Sequence, residues 1–265
     1  MGDWRSWQRV AVTLQRSQVQ ILYRPHRIMK IIFEDENLLV VDKPAGIIVF
    51  PEGAALSTSR EKTLIDLLLE KYPNLKNVGT APRYGVVHRL DKDTSGVILI
   101  AKTNQALGFL QKQFEQRTVE KKYVLLVADK LKTNKGIIET LIGRANKDKR
   151  KQKVYLPHEP SGSKNLRKAK TEYKIIKRFQ KFTLINAFPK TGRKHQLRVH
   201  FAYLGHPIVG DKLYGFKNQI IPLGLKRQFL HAKYLKIKLL NGKTKELNSE
   251  LPENLKKILN NLKNE

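Results

Sequence analysis

The chain has 265 residues, 52 Lys and Arg against 23 Asp and Glu, a formal charge of +29 at pH 7 and no cysteine. The missing thiols exclude disulfides, thiolate nucleophiles and Cys-based zinc sites, and the charge predicts a polyanionic partner, with nucleic acid ahead of acidic lipid. No apolar run approaches the roughly 18 residues of a membrane span and no secretory h-region is present, so a soluble, cytoplasmic protein with no membrane partner is expected.

Residues 1–28 hold one acidic residue and five Arg with little periodicity. They read as an extension outside the core, disordered or the product of a miscalled start, with Met29 as the natural initiator. From Met29 the pattern is orderly and predicts one domain over 29–265. "KIIFEDENLLVVDKPAGIIVF" gives short strands broken by Asp35–Asn37, Pro44 and Gly46. "KTLIDLLLEKY" has helical spacing, Val97–Ala101 is a strand, and "NQALGFLQKQFEQ" is an amphipathic helix capped by Thr103 or Asn104. Strands follow at Tyr123–Val127 and Gly136–Ile142.

Residues 144–170 carry ten Lys or Arg and two acids, which predicts a mobile, solvated segment that either touches the partner or is merely a soluble loop. "KTEYKIIKRF" and "KFTLINAFP" read as a hairpin turning near Gln180. "GRKHQLRVHFAYLG" reads as a helix with Leu197, Phe201 and Leu204 on one stripe and Gly205 as its C-terminal cap. "FLHAKYLKIKLL" is a strand, and "PENLKKILNNLK" a closing helix with Pro252 near its first turn. Strands and helices interleave irregularly, which predicts an α+β fold around a mixed, largely antiparallel sheet.

"GHPIVGDKLYG" fails the phosphate-loop pattern, because Asp211 separates Gly210 from the Lys. His195 and His200 lie about 140° apart on a helix, too far for one shared metal. They are expected to be a hydrogen-bonded pair supporting the fold, or contacts to phosphate. Asp91 and Asp93 lack a further acidic cluster and are crowded by basic residues, so two-metal chemistry is disfavoured.

What stands out is "HRLDKDTSG" at 88–96, charged and hydroxyl side chains between the apolar stretches "YGVV" and "VILIA". Burial opposes the charge of an Asp there, whereas a guanidinium in bonding distance preserves it. Asp91 is then either a nucleophile or one half of a structural ion pair. Thr94, Ser95 and Gly96 suit a turn that stabilises the Asp loop.

That motif resembles the catalytic motif of the RluA-type RNA pseudouridine synthases. "VEKKY" at 119–123 is similar to the family's second motif and "GRKHQLRVHFAYLGHPIVGDKLYG" at 192–215 to its third. "FEDENLLVVDKPAGIIVFP" and "LHAKYLKI" resemble the domain's beginning and its late strand. The likeness spans roughly residues 31–240 in order. It implies isomerisation of a uridine in ribosomal or transfer RNA after base flipping, with no cofactor; no metal site and a monomer are expected. On matching positions, Asp91 would be the catalytic carboxylate, Arg198 its guanidinium partner, and Tyr123 the residue that stacks on the base and helps remove the C5 proton. Arg89 would fill the space the base leaves, and Leu197, Lys121 and Arg193 would line the substrate site. Lys194 stands where the family commonly has a hydroxyl residue and Leu125 where it has a small one. Many relatives carry an S4 RNA-binding domain before the catalytic region, and here only about 30 residues precede it. The alternative from another class is a catalytically silent RNA-binding or ribosome-assembly protein; a metal-dependent RNA hydrolase is more distant.

Overall fold

The computed structural model describes residues 21–22, 29–51, 61–156 and 165–263. In chain order its elements are β1 (Ile21–Leu22), β2 (Met29–Glu34), β3 (Leu38–Lys43), α1 (Leu64–Lys71), β4 (Ser95–Ala101), α2 (Asn104–Glu115), β5 (Glu120–Ala128), β6 (Lys135–Arg144), β7 (Gln152–Tyr155), β8 (Arg167–Phe179), β9 (Phe182–Pro189), α3 (Gln196–Tyr203), β10 (Leu230–Lys238), β11 (Thr244–Asn248) and α4 (Glu253–Asn260).

The strands form one sheet in the order β1-β2-β3-β4-β10-β5-β9-β8-β6-β7, with β11 against the outer half of β10. Every described pair is antiparallel except β4 with β10, which run parallel through His231–Ser95 and Ala232–Gly96. This is the α+β, mixed and largely antiparallel sheet that the sequence predicts.

Leu38–Val41 of β3 and Val97–Ala101 of β4 are unbroken apolar runs, because successive side chains point to opposite faces and each face is covered. Leu39, Val41, Ile98 and Ile100 pack with Leu64, Ile65 and Leu68 of α1. Leu38, Val40, Val97 and Leu99 pack with Ala106, Leu107 and Leu110 of α2. Strand β5 repeats the arrangement, sending Leu125 and Val127 to Leu197 and Phe201 of α3, and Val124 and Leu126 to Leu255 and Ile258 of α4. Tyr123 touches both the α1 cluster and the α3 cluster. A cleft opens at that junction.

Local signals place the helices. Thr63 caps α1 in a reciprocal box with Asp66, and Thr103, not Asn104, caps α2 by accepting the Ala106 N–H. Gly205 follows α3 at φ +79°, as a left-handed cap requires.

Several expectations change. The 144–170 stretch is not one solvated segment: β7 and the start of β8 lie in it, and Val154 and Ala169 pack with Val199. Backbone pairing of β7 to β6 recruits a polar sequence that side-chain pattern alone reads as loop. Residues 157–164 lie outside the described residues, as do 1–20 and 23–28 of the extension; Ile21–Leu22 pair with Met29–Lys30. Helix α3 begins only at Gln196, because His195 takes a left-handed φ of +56°. Leu204 is exposed at 37% and leaves the stripe formed by Leu197 and Phe201. Ser95 and Gly96 belong to β4 and not to the turn before it.

Gly96 has a steric reason of its own. Its φ is +120°, and a Cβ there would lie 2.1 Å from the carbonyl oxygen of Ala232 across the parallel pairing. Gly96→Ala is expected to lower stability by more than about 3 kcal/mol, through backbone strain and clash together. A thermal melt within a degree or two of wild type would contradict this.

Candidate active site

Asp91 sits in the loop that ends at β4, and four distant contacts hold that loop. Lys43, fully buried at the end of β3, donates from Nζ to the carbonyls of Pro44, Ile47 and Lys92 at 2.9, 2.9 and 3.1 Å. The Gly46 N–H also donates to Lys92 O at 2.8 Å. From the other side, Arg227 donates to Asp93 O at 3.1 Å and Gln228 to Thr94 Oγ1 at 2.8 Å. Leu90 is buried in the α1 cluster and His88 stacks on Phe114, its Nε2 accepting the Leu99 N–H. With Leu90 inward, Asp91 faces the cleft. A charged run between strands is thereby a fixed turn with one carboxylate presented.

The guanidinium facing it comes from α3. Arg198 donates from Nη1 to Asp91 Oδ2 at 2.9 Å, and from Nε and Nη2 to Asp211 Oδ2 and Oδ1 at 2.6 and 2.9 Å. Asp211 has no exposed side-chain surface, and its Oδ1 also accepts the N–H groups of Leu213 and Tyr214. Burial works against the charge on Arg198, but hydrogen bonds and charge from Asp211, and then Asp91, outweigh it and raise the guanidinium above its usual range. Arg198 is buried at 8% exposure, and the fully buried Asp211 carboxylate offsets the cost of its charge there.

The two histidines separate in role. His200 bonds to Thr171 and Thr140 inside the fold. His195 instead has Nε2 3.8 Å from Asp91 Oδ1, while its Nδ1 lies 2.9 Å from the Tyr214 hydroxyl, which accepts the Gln152 N–H. Burial pushes His195 down to about 4 against the opposing charge of Asp91, so it is neutral at pH 7. The two are not a bonded pair; only one faces the cleft.

The cleft holds about 420 Å³, and its walls include Arg89, Asp91, Lys121, Tyr123, Arg193, Leu197 and Arg198, which places all seven of the residues singled out by the motifs around one space. Arg89 lies over the Phe50 ring at 5.3 Å, beside Arg83 over the same ring at 5.1 Å. Leu197 is buried beneath the cleft floor. Burial, then the charge of Asp91, raises the Tyr123 phenol well above its ordinary range. Among the described residues no three of His, Asp and Glu gather as a metal site, and no helix is long and apolar enough to cross a membrane.

A family model for RNA pseudouridylate synthases matches residues 37–203. The chain belongs to the RNA pseudouridylate synthase family. It is 42% identical over 196 residues to an uncharacterized RNA pseudouridine synthase of Aquifex aeolicus, covering 73% of this chain and 58% of that one. It is 36% identical to the ribosomal large subunit pseudouridine synthase D of Nitrosomonas europaea, covering 89% and 66%. The chain therefore spans about three fifths to two thirds of the length of these relatives. Two human structures share the fold: RNA pseudouridylate synthase domain containing 1 at TM-score 0.67 and 27% identity, covering 84% of each chain, and domain containing 4 at 0.68 and 25%, covering 87% and 91%.

Sequence reasoning about this family member missed Asp211, His195, Tyr214, Lys43 and Arg227. For Asp211 a signal exists: it is the only acidic residue between Glu172 and Glu246, and a lone carboxylate in so basic a stretch needs a cation to hold. It was weighed only as an interruption of a phosphate loop.

Proposed function

We propose that this member of the family is an RNA pseudouridine synthase, an isomerase that acts on uridine within ribosomal or transfer RNA, with residues 29–265 as its catalytic domain. The observation that carries this reading is the Asp91 carboxylate held at 2.9 Å by a buried Arg198 on the wall of the cleft.

The reaction breaks the N1–C1′ bond, turns the uracil and forms C5–C1′; the hydrogen on C5 leaves as a proton and N1 takes one up. Substrate and product have the same atoms and oxidation level, so the chemistry calls for no co-substrate. A stacked base hides its glycosidic bond, and extracting it costs a few kcal/mol. Arg89 enters the space that the base vacates, and stacking on Tyr123 returns roughly 1–3 kcal/mol. Leu197 packs beneath the base. Asp91 places its carboxylate against the scissile bond, whether it bonds to the ring, bonds to C1′ or stabilises a cationic intermediate; each route needs the carboxylate aimed, and Arg198 holds it at 2.9 Å. Because the Tyr123 phenol is held protonated, its part is to stack and to relay a proton, not to act as a free phenolate base. Neutral His195, braced through Tyr214 by the backbone of β7, limits how far Asp91 can swing.

RNA carrying tritium at uracil C5 tests the reading. Incubation with the purified protein in EDTA should release tritium to water in step with pseudouridine and without strand breaks. Strand cleavage lost on chelation would indicate a metal-dependent hydrolase, and tight RNA binding without release a silent binding protein.

A further inference from the structure

One part of the cleft wall collects positive charge that the chemistry at Asp91 does not use. Lys121 on β5 and Arg193 before α3 both line the cleft. Lys121 feels the charges of Arg117, Arg193 and Lys190, and Arg193 those of Arg167 and Arg117. Lys190 is paired with Glu172 at 3.0 Å. Among the described residues no carboxylate pairs with Lys121, Arg193, Arg117 or Arg167. Lys121 Nζ reaches only the Thr191 carbonyl at 3.4 Å and the Phe114 ring at 5.9 Å, and Arg193 Nε donates to Lys168 O at 3.0 Å. Both are partly desolvated, and burial and like charge act in the same unfavourable direction. Several cations held close together against that repulsion are relieved by an anion. Resting on the isomerase reading above, we infer that Lys121 and Arg193, which line the cleft, form a subsite for a backbone phosphodiester of the substrate RNA, positioning the strand whose uridine reaches Asp91.

The subsite has a pH signature. Burial first, and then Arg117, Arg193 and Lys190, push Lys121 down to about 8, and a bound phosphodiester reverses that by favouring the ammonium. Lys121 is charged and the subsite complete below about pH 7; affinity is lost as pH rises through 8. From linkage, binding at pH 9 should be roughly tenfold weaker than at pH 7. The charged groups that act on Lys121 are Arg117, Arg193 and Lys190, and Glu115 lines the same cleft. His88, driven down to about 3 by burial and then by Lys121 itself, is neutral throughout.

The test measures the Kd of a fluorescein-labelled oligouridylate at pH 7, 8 and 9 and constant ionic strength for wild type, Lys121→Arg and Lys121→Met. Wild type is expected to lose about tenfold across the range. Lys121→Arg, whose guanidinium stays charged, should lose far less. Lys121→Met should bind more than about tenfold more weakly at pH 7, as the wild-type pH loss requires, with the slope of log Kd against log salt reduced by about one. An oligouridylate of uncharged methylphosphonate linkages should bind wild type and Lys121→Met alike. The inference is overturned by a flat wild-type profile, by Lys121→Arg reproducing the wild-type loss, by Lys121→Met binding as wild type does, or by wild type showing no salt-dependent binding. Failure of the isomerase reading is seen separately, as the absence of pseudouridine from RNA treated with wild type.

Discussion

Asp91→Asn is expected to reduce pseudouridine formation by roughly 10⁴-fold or more, with RNA affinity within a few-fold of wild type. The substitution keeps size and shape. An amide oxygen can still accept from Arg198 Nη1, and the two bonds from Arg198 to Asp211 remain, so the fold and the cleft survive. Only the negative charge is removed, and that charge is what every version of the reaction requires. Pseudouridine counted after single-turnover incubation, beside a filter-binding Kd, separates the two effects. Turnover near the wild-type rate would show that the carboxylate is a structural ion-pair partner, the other reading that the motif allowed.

The second large effect is expected at Asp211. Removing this side chain in Asp211→Ala strips two of the three carboxylate contacts from a buried guanidinium and leaves the Leu213 and Tyr214 N–H groups without their acceptor. Breaking a buried pair in this way costs about 3–5 kcal/mol, which for a domain of this size lowers the melting temperature on the order of 10 °C. Assayed well below that melt, turnover should also fall by about 10²-fold, since Arg198 no longer points Asp91 along one line. Asp211→Asn, which keeps the acceptor for the backbone but not the charge, should lie between wild type and Ala in both measurements. Calorimetry showing no change for Asp211→Ala would mean that Arg198 is held by something else.

The contrast between Asp91 and Asp211 shows what could be read from sequence. Asp91, Tyr123 and Arg198 lie in short local motifs, so quoting the motif located them, and the structure brings them to one cleft. The strands β3 and β4 were legible as short apolar runs, and the α2 cap as Thr103 or Asn104 before amphipathic spacing, whereas the Thr63 cap of α1 was not read. The supports of the Asp91 loop were not legible, because they join residues far apart in the chain: Arg227 meets the Asp93 carbonyl across 134 positions and Lys43 meets that of Lys92 across 49. Nothing in "VVDKPAG" says that its Lys is fully buried with three carbonyl partners, since the same letters fit an exposed turn. Strand β7 escaped notice for a related reason. Paired among the described residues only with β6, at the end of the sheet, it presents polar residues to solvent, so the alternation that marks a strand is faint.

His195 illustrates a smaller lesson. Counted as a helical residue, it lay about 140° from His200; in the structure its left-handed backbone delays the start of the helix to Gln196, and its Nε2 lies 3.8 Å from Asp91. A single φ angle decides which surface a side chain serves, and residue order alone does not fix it.

The most direct measurement maps pseudouridine at single-nucleotide resolution in cellular RNA from three strains: gene intact, gene deleted, and deletion complemented with the Asp91→Asn gene. The account predicts at least one uridine that is modified in the first strain and unmodified in both others, with wild-type complementation restoring it. An unchanged map on deletion, or full restoration by Asn at position 91, would contradict it.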